Sequence, residues 1–461
     1  MSYYGIYLTK TQNGVNMSIF DSISSVLGSF VTPTVLFLSS AVVSNNINIL
    51  KILRPRRFIK TLSDLPENSR SSPLRALSVA LAGTLGVGNI TGVASALIVG
   101  GPGAIFWMWV GALVVLAVKY AEVSLAVQFR RKNDSGYFGG AMYYIRDGLS
   151  RVIGYRPAAF LGGMFAVLCC MNSLITGNIV QSNAASCIFP DKYRIYCGLA
   201  LGICVLCALI YGAKKVEYIT SSLIPTLTAV YMIISLCIIL GNLPLIPKII
   251  IDIFASAFGK KAIFGGVVGF SIREAMRFGI MRGIFSNEAG CGTSPIAHAA
   301  AETKSPHHQA CYGIVEVVFD TLILCTMTAF VLLIADKKFS VIPWHAEVDA
   351  SPITLNSFRI LGGELVYYIL CVSVVLFAYS TIIAQIYYGV ISIGYLSKRK
   401  IPQIIYSVLS VACTVIGSVI SSPVMWLSAD IIIGIMTTVN CIVIVIMRSR
   451  LRSRHLPEDL H

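Results

Sequence analysis

Long apolar runs separated by short polar segments follow one another along almost the whole chain. Each run is long enough to cross a hydrocarbon core of about 30 Å, which takes about 20 helical residues. The pattern predicts about eleven transmembrane helices, and hence an all-α polytopic membrane protein. The predicted spans are 27–49, 74–99, 103–129, 157–186, 195–212, 217–241, 262–287, 309–335, 363–396, 402–421 and 424–447.

The composition excludes a soluble globule. A soluble domain has about 25% charged residues, whereas this chain has 12%, with 56% hydrophobic residues and a mean hydropathy of +0.77. Such a chain has too little polar surface to cover itself in water, and it is too apolar to be disordered. Most of the cysteines are scattered singly through apolar runs, and the Cys204/Cys207 pair also lies within one, so we expect packing rather than redox or metal chemistry.

The basic residues predict the orientation. With the N-terminus outside, the inside loops and the C-terminal tail carry more than twice as many Lys and Arg as the outside loops. An odd number of helices with a cytoplasmic C-terminus therefore satisfies the positive-inside rule. The arginines of 448–454 directly follow an apolar run, so they are expected to anchor a helix end in the lipid bilayer, and nucleic acid is not an expected partner.

The chain divides into five predicted regions. The first 16 residues lack a basic region followed by an apolar one, so no cleavable signal peptide is expected, and Met17 is an alternative start. The regions are a polar N-terminal segment (1–26), an extra helix with a basic cytoplasmic loop (27–72), a first five-helix repeat (73–241), a second repeat (242–447) and a basic tail (448–461).

Two predicted spans are unusually rich in glycine. The second reads LAGTLGVGNITG from Leu81 to Gly92, and the seventh contains Gly265, Gly266, Gly269, Gly279 and Gly283. Close helix packing through small residues is one explanation. The other is a discontinuous helix, whose free backbone groups bind an ion and an anionic substrate group near the membrane midplane. The two spans are five helices apart, as expected for inverted repeats.

Polar side chains at membrane depth mark further candidates. Asn89 offers an amide oxygen beside the glycines, suited to a monovalent cation or to an interhelical hydrogen bond. Asn178 and Gln181 share a face of the fourth span and are predicted to line a cavity. The adjacent hydroxyls of Ser380 and Thr381 either bond their own turn or complete a sodium site.

Charged residues within spans suggest pairing or function. Lys119 with Glu122, three residues apart, is predicted to be an ion pair, and so is the Arg273, Glu274 and Arg277 group. No cation is evident for Glu316 and Asp320, which leaves a coupling role open. His298, His307 and His308 are expected in a solvated loop.

Several segments resemble the alanine or glycine:cation symporter family. The resemblance runs in order from about residue 30 to 445. Its most specific runs are GGPGAIFWMW (100–109) and RGIFSNEAG (282–290), and it extends over GGAMYYIRDGL (139–149), DTLILCTMTAFVLL (320–333) and FAYST (377–381). It implies eleven helices, the last ten in the leucine-transporter fold of two inverted five-helix repeats, and sodium-driven uptake of small neutral amino acids across the bacterial inner membrane.

The resemblance also implies a site. The backbone N–H groups of Val87 and Gly88 would hold the substrate carboxylate, and the oxygens of Thr84 and Asn89 would face one sodium ion. A second sodium site would use Ala82, Leu85, Phe377, Ser380 and Thr381. No cofactor is implied beyond the coupling ion. This chain departs from the family at two positions: it has Val87 where the family commonly has Thr, and Thr91 where the family commonly has Ala. These departures bear on substrate choice and on the first sodium site.

The seventh span is predicted to break between Phe278 and Gly283, so that Phe278, Gly279 and Gly283 line the substrate site and the Phe278 ring limits substrate size. Three alternatives stay open: proton coupling in the same fold, an ion channel, and a membrane-embedded enzyme. Against the enzyme stands the lack of His, Cys and carboxylate groups at catalytic spacing.

Overall fold

The computed structural model describes residues 17–63, 72–134, 136–211, 213–258, 272–303, 305–346 and 348–452. Within these ranges the chain is almost entirely helical. The α-helices are α1 (Met17–Val26), α2 (Thr32–Ile47), α3 (Ile49–Ile52), α4 (Pro55–Ser63), α5 (Ser72–Thr84), α6 (Thr91–Gly100), α7 (Gly103–Gln128), α8 (Ala141–Ile153), α9 (Tyr155–Asn172), α10 (Val180–Ser186), α11 (Asp191–Tyr211), α12 (Ala213–Leu240), α13 (Ile246–Ala257), α14 (Ile272–Asn287), α15 (Pro295–Ala299), α16 (Pro306–Val317), α17 (Thr326–Phe339), α18 (Ala350–Gly362), α19 (Glu364–Leu396), α20 (Lys400–Gly417), α21 (Ser422–Ile446) and α22 (Arg448–Arg452).

Shorter segments join some of these helices. Three are π-helical, and each joins two consecutive α-helices of one span: Leu27–Val31, Ser173–Ile179 and Val318–Cys325. Two are 3₁₀ turns, Val87–Asn89 and Leu243–Leu245. One antiparallel hairpin pairs β1 (Arg131–Asn133) with β2 (Gly136–Phe138). Because π-helical turns interrupt the regular backbone ladder, they often accompany functional sites.

The described residues contain eight helices long and apolar enough to cross a membrane, and two bent helix pairs raise this to ten. These ten coincide with ten of the eleven predicted spans and confirm a polytopic membrane protein. The seventh predicted span matches α14 only in part, because residues 262–271 lie outside the described residues. The first span begins at Met17, ten residues before the predicted start, so the predicted polar segment 1–26 is partly helical; residues 1–16 also lie outside the described ones.

Burial separates a central set of helices from a peripheral one. In the most apolar stretch of α7, 83% of the residues are buried, whereas the corresponding figures are 28% in α11 and 22% in α20. Helix α7 packs against α14, α16 and α2, and α19 packs against α9 and α5. The exposed apolar residues of α11 and α20 form a surface suited to lipid. Helices α7 and α19 form the interior of the bundle.

The predicted break between Phe278 and Gly283 is wrong. Helix α14 runs without interruption from Ile272 to Asn287, and its glycines serve packing. A Cβ at Gly279 would collide with the backbone carbonyl of Ala104 in α7, and one at Gly283 would lie 3.4 Å from Met108 Cγ. The chain leaves the helix only after Asn287, in a turn where Glu288, Gly290 and Gly292 have positive φ.

Candidate binding site at a broken helix

The second span is interrupted at the predicted glycines. Helix α5 ends at Thr84, the 3₁₀ turn Val87–Asn89 follows, and α6 begins at Thr91, with a bend of 53° between the two helical arms. The backbone N–H of Val87 is released from its own helix and donates to Oε1 of Gln181 at 3.1 Å. An unwound segment with free backbone N–H groups is the feature that binds anionic groups in broken membrane helices.

Gly86 permits this arrangement. A Cβ at Gly86 would lie 2.6 Å from Thr381 Oγ1 and 2.8 Å from Gln181 Oε1, which is closer than real Cβ contacts. Only glycine therefore lets side chains from two other helices reach the break.

A narrow cavity opens beside the break. It is lined by Gly83, Thr84, Gly88, Thr176, Gln181, Phe285, Glu288 and Gln385. Five of these residues carry polar side chains, and the aromatic ring of Phe285 closes on Gly88, where a Cβ would lie 3.1 Å from the ring. The cavity thus combines convergent polar groups with little space, as a site for a small polar ligand requires.

The hydroxyl pair on α19 reaches the same break. Thr381 Oγ1 donates to the carbonyl oxygen of Ala82 at 3.1 Å, and the Ser380 hydroxyl is buried with no hydrogen-bond partner within the described residues. Leu85 and Phe377 are buried nearby in the same core. A buried hydroxyl without a partner is costly unless a ligand uses it, so the geometry suits a cation bound by neutral oxygens.

A second oxygen cluster surrounds Asp320, on the π-helical turn Val318–Cys325. The Asn89 amide donates to Asp320 Oδ1 at 2.7 Å, and the Ser286 and Thr321 hydroxyls donate to Oδ2 at 2.6 and 2.9 Å. The Oδ1 atom of Asn89 is buried without a partner within the described residues. Thr84, expected to face the same sodium ion as Asn89, donates to Ala80 O in its own helix at 3.2 Å and lines the cavity.

A cluster of aromatic and charged side chains, formed by Phe285, Trp426, Arg282 and Asp430, extends from one side of the cavity. The ring of Phe285 meets Trp426 edge-on with centroids 5.0 Å apart. The Arg282 guanidinium lies 4.1 Å from the Trp426 centroid and forms a buried ion pair with Asp430. The cation–π contact and the ion pair of Arg282 together fix the position of the Trp426 ring beside Phe285.

The turn after α14 is fixed by buried charges. Lys119 Nζ lies 3.0 Å from Glu316 Oε2 and donates to Ser294 Oγ at 2.7 Å and Asn287 O at 3.2 Å. The predicted pairing of Lys119 with Glu122 is therefore wrong. Glu122 instead accepts from Gly290 N at 3.1 Å and from the Asn440 amide at 3.0 Å. These contacts tie the turn to α7, α16 and α21.

The histidines were also mispredicted, because all three are buried rather than solvated. His298 Nε2 lies 2.8 Å from Glu316 Oε2, and its Nδ1 lies 2.8 Å from Gln309 Nε2. The partners come from α16, so no spacing within the loop could reveal them. The signal available in the sequence was Glu316, a carboxylate in an apolar helix that had to find partners.

The remaining predicted residues do not all meet at the cavity. Asn178 is fully buried, and both polar atoms of its amide lack partners within the described residues, but it is not among the cavity-lining residues. Phe278 is half-buried, and it, Gly279 and Gly283 lie outside the lining. The aromatic residue that lines the cavity and that the prediction missed is Phe285, two turns closer to the end of α14.

A polytopic helical bundle with a broken span, a small polar cavity at the break and oxygen clusters beside it has the features of a membrane transport protein. Comparison with known proteins gives the family: the model of the sodium:alanine symporter family matches residues 13–455, and the chain belongs to that family.

Relatives of this chain include characterised and uncharacterised transporters. The sodium/alanine symporter AgcS of Methanococcus maripaludis is 36% identical over 378 residues, covering 80% of each chain. A transporter of Bacillus subtilis, YflA, is 35% identical over 389 residues, covering 83% of this chain and 79% of its own. The probable sodium/glutamine symporter GlnT of Bacillus subtilis is 33% identical over 408 residues, covering 86% and 82%.

We expect the Phe285→Ala substitution to widen substrate choice. Without the ring beside Gly88, the cavity gains volume for a branched side chain, so binding of valine relative to alanine should rise about 10-fold or more. Competition of unlabelled valine with labelled alanine measures this ratio. The matched control is Phe278→Ala in the same helix, which should leave the ratio unchanged. Equal effects of the two substitutions would contradict the assignment of Phe285.

Proposed function

We propose that this protein couples inward sodium movement to the uptake of small neutral amino acids, alanine and glycine, by alternating access. The observation that carries the proposal is the meeting of three helices at the break: α10 supplies Gln181 to the Val87 N–H, and α19 supplies Thr381 to the Ala82 carbonyl. The break and the last turn of α5 together thus offer a donor for a carboxylate and an acceptor for a cation.

The substrate assignment follows from the cavity. The Val87 and Gly88 N–H groups would hold the carboxylate of an amino acid, with the Gln181 amide turning to share it. The narrow space between Gly88 and Phe285 favours a side chain no larger than a methyl group. The relative GlnT is described as a probable sodium/glutamine symporter, so glutamine is the larger substrate to test.

Two ion positions are proposed. One lies among Ala82 O, Leu85 O, Phe377 O and the hydroxyls of Ser380 and Thr381. The other lies at Asn89 Oδ1, which has no partner within the described residues and belongs to the amide whose nitrogen donates to the Asp320 carboxylate, with Ser286 and Thr321 beside it. Oxygen ligands without thiolate or imidazole suit a hard monovalent cation. Because Asp320 is a carboxylate, a proton is the specific alternative to sodium at the second position.

The architecture proposed around these sites has eleven spans, the last ten as two inverted five-helix repeats, with the N-terminus outside and the C-terminus in the cytoplasm. The basic residues of α4, the β1–β2 hairpin and α22 support this orientation through the positive-inside rule. We propose the bacterial inner membrane as the membrane in which the protein resides.

Uptake into proteoliposomes tests the proposal. Labelled alanine, glycine and glutamine are offered to vesicles that hold either an inward sodium gradient or an inward proton gradient of equal driving force. We expect alanine and glycine to accumulate under the sodium gradient and to exchange with unlabelled alanine inside. Accumulation driven only by protons would favour the proton-coupled alternative, and unitary currents without counterflow would favour a channel.

A further inference from the structure

Glu288 is the only carboxylate among the residues that line the cavity in the described part of the chain. It follows the last residue of α14, it is 6% exposed, and its φ is 50°. Residues with a side chain adopt this left-handed conformation rarely. The fold therefore holds a carboxylate at the cavity wall in a backbone conformation that glycine would adopt more easily.

The contacts of Glu288 are to neutral groups. Oε2 accepts a hydrogen bond from Thr293 Oγ1 at 2.8 Å, and Oε1 accepts one from the Gln385 amide. No ion pair to Glu288 occurs within the described ranges, where nearby Lys119 is engaged by Glu316, Ser294 and Asn287. An ionised carboxylate has about four acceptor positions, so about two remain for a ligand in the cavity.

A buried carboxylate without a cation is costly. The proposed sodium positions use other oxygens, those of Asn89 and Asp320 and those of Ala82, Ser380 and Thr381. Unless Glu288 takes up a proton, the cation that compensates it has to enter the cavity itself. An amino acid brings such a cation, because its ammonium group lies one carbon away from the carboxylate that the Val87 and Gly88 N–H groups would hold.

We propose that Glu288 is the counter-ion of the substrate's ammonium group, held in place by Gln385 and Thr293. The inference rests on the proposed function and extends it. It defines the substrate class as zwitterions with a free ammonium group, and it excludes monocarboxylates of the same size, such as propionate and lactate. Glycine and alanine share the recognised part, and the side chain contributes only through its size.

Competition binding tests this assignment. Binding of labelled alanine to purified protein at saturating sodium is measured against unlabelled alanine and propionate, for wild type, Glu288→Gln and Glu288→Asp. The matched control is Glu274→Gln, which removes an exposed carboxylate from α14, the helix that precedes Glu288. We expect Glu288→Gln to weaken alanine binding by about 10- to 100-fold, while propionate competes as well as it does in wild type or better. Glu288→Asp should retain preference for alanine over propionate.

The outcomes separate this inference from the proposed function. Wild-type protein that binds neither alanine nor glycine contradicts the proposed function. Wild-type protein that binds alanine, with an unchanged ratio of alanine to propionate affinity in Glu288→Gln, overturns only the role of Glu288. If the ratio of alanine to propionate affinity is unchanged and uptake by Glu288→Gln also loses its pH dependence, Glu288 carries a proton. That result overturns the counter-ion role as well. A variant that unfolds is replaced by Glu288→Asp, whose loss of the alanine preference would count against the proposal.

Discussion

Replacing Lys119 by methionine should lower the free energy of unfolding by about 3–5 kcal/mol, because the Glu316 carboxylate then stays buried without its cation. The lysine side chain is fully buried in the structure and also bonds Ser294 and Asn287. The turn after α14 would lose its main anchor. Thermal unfolding of the purified variant in detergent measures the loss.

The double variant Lys119→Met with Glu316→Gln provides the control. Removing both charges leaves a neutral amide that His298 and Ser294 still contact, so much of the lost stability should return. A single variant as stable as wild type would show that Glu316 is compensated elsewhere. A double variant as unstable as the single one would show that Lys119 acts through packing instead.

Removal of both hydroxyls in the double variant Ser380→Ala/Thr381→Ala should shift the sodium dependence of uptake to much higher sodium concentrations. A hydrogen-bonded contact to a charged group contributes about 1.5–3 kcal/mol, so each lost ligand should raise the half-saturating sodium concentration by about 10-fold or more. Alanine uptake across a sodium titration measures the shift. The matched control is Ser373→Ala on the same helix, whose hydroxyl donates to Ile369 O in its own turn.

Ser373→Ala should leave the titration unchanged. A double hydroxyl variant with the half-saturating sodium concentration of wild type would remove Ser380 and Thr381 from the ion site. The transporter class would stand, since the family assignment does not depend on these residues.

Much of the fold was predictable because hydropathy reports membrane spans directly. The break of the second helix was predictable as well, since Gly86 and Gly88 stand beside polar residues where a regular helix would favour larger side chains. Gln181 could be placed at a cavity because an amide at membrane depth needs polar partners. These conclusions depend on local sequence.

The errors came from contacts between distant segments. The glycines of α14 looked like a break, but Gly279 and Gly283 let α7 approach closely, a function that composition cannot separate from unwinding. Spacing suggested Glu122 for Lys119, whereas the partner is Glu316, almost 200 residues away in the chain. The role of Asp320 depends on Ser286 and Asn89, which only the folded structure brings together.

The most direct test of the central claim is the affinity of the purified wild-type protein for alanine, measured across a sodium titration at constant ionic strength with choline as the replacement cation. Coupling between two ligands is reciprocal in binding free energy. If the break between α5 and α6 binds both alanine and sodium, the affinity for alanine should rise with the sodium concentration. The half-saturating sodium concentration should likewise fall as the alanine concentration increases. Alanine binding of equal affinity in sodium and in choline would contradict the account.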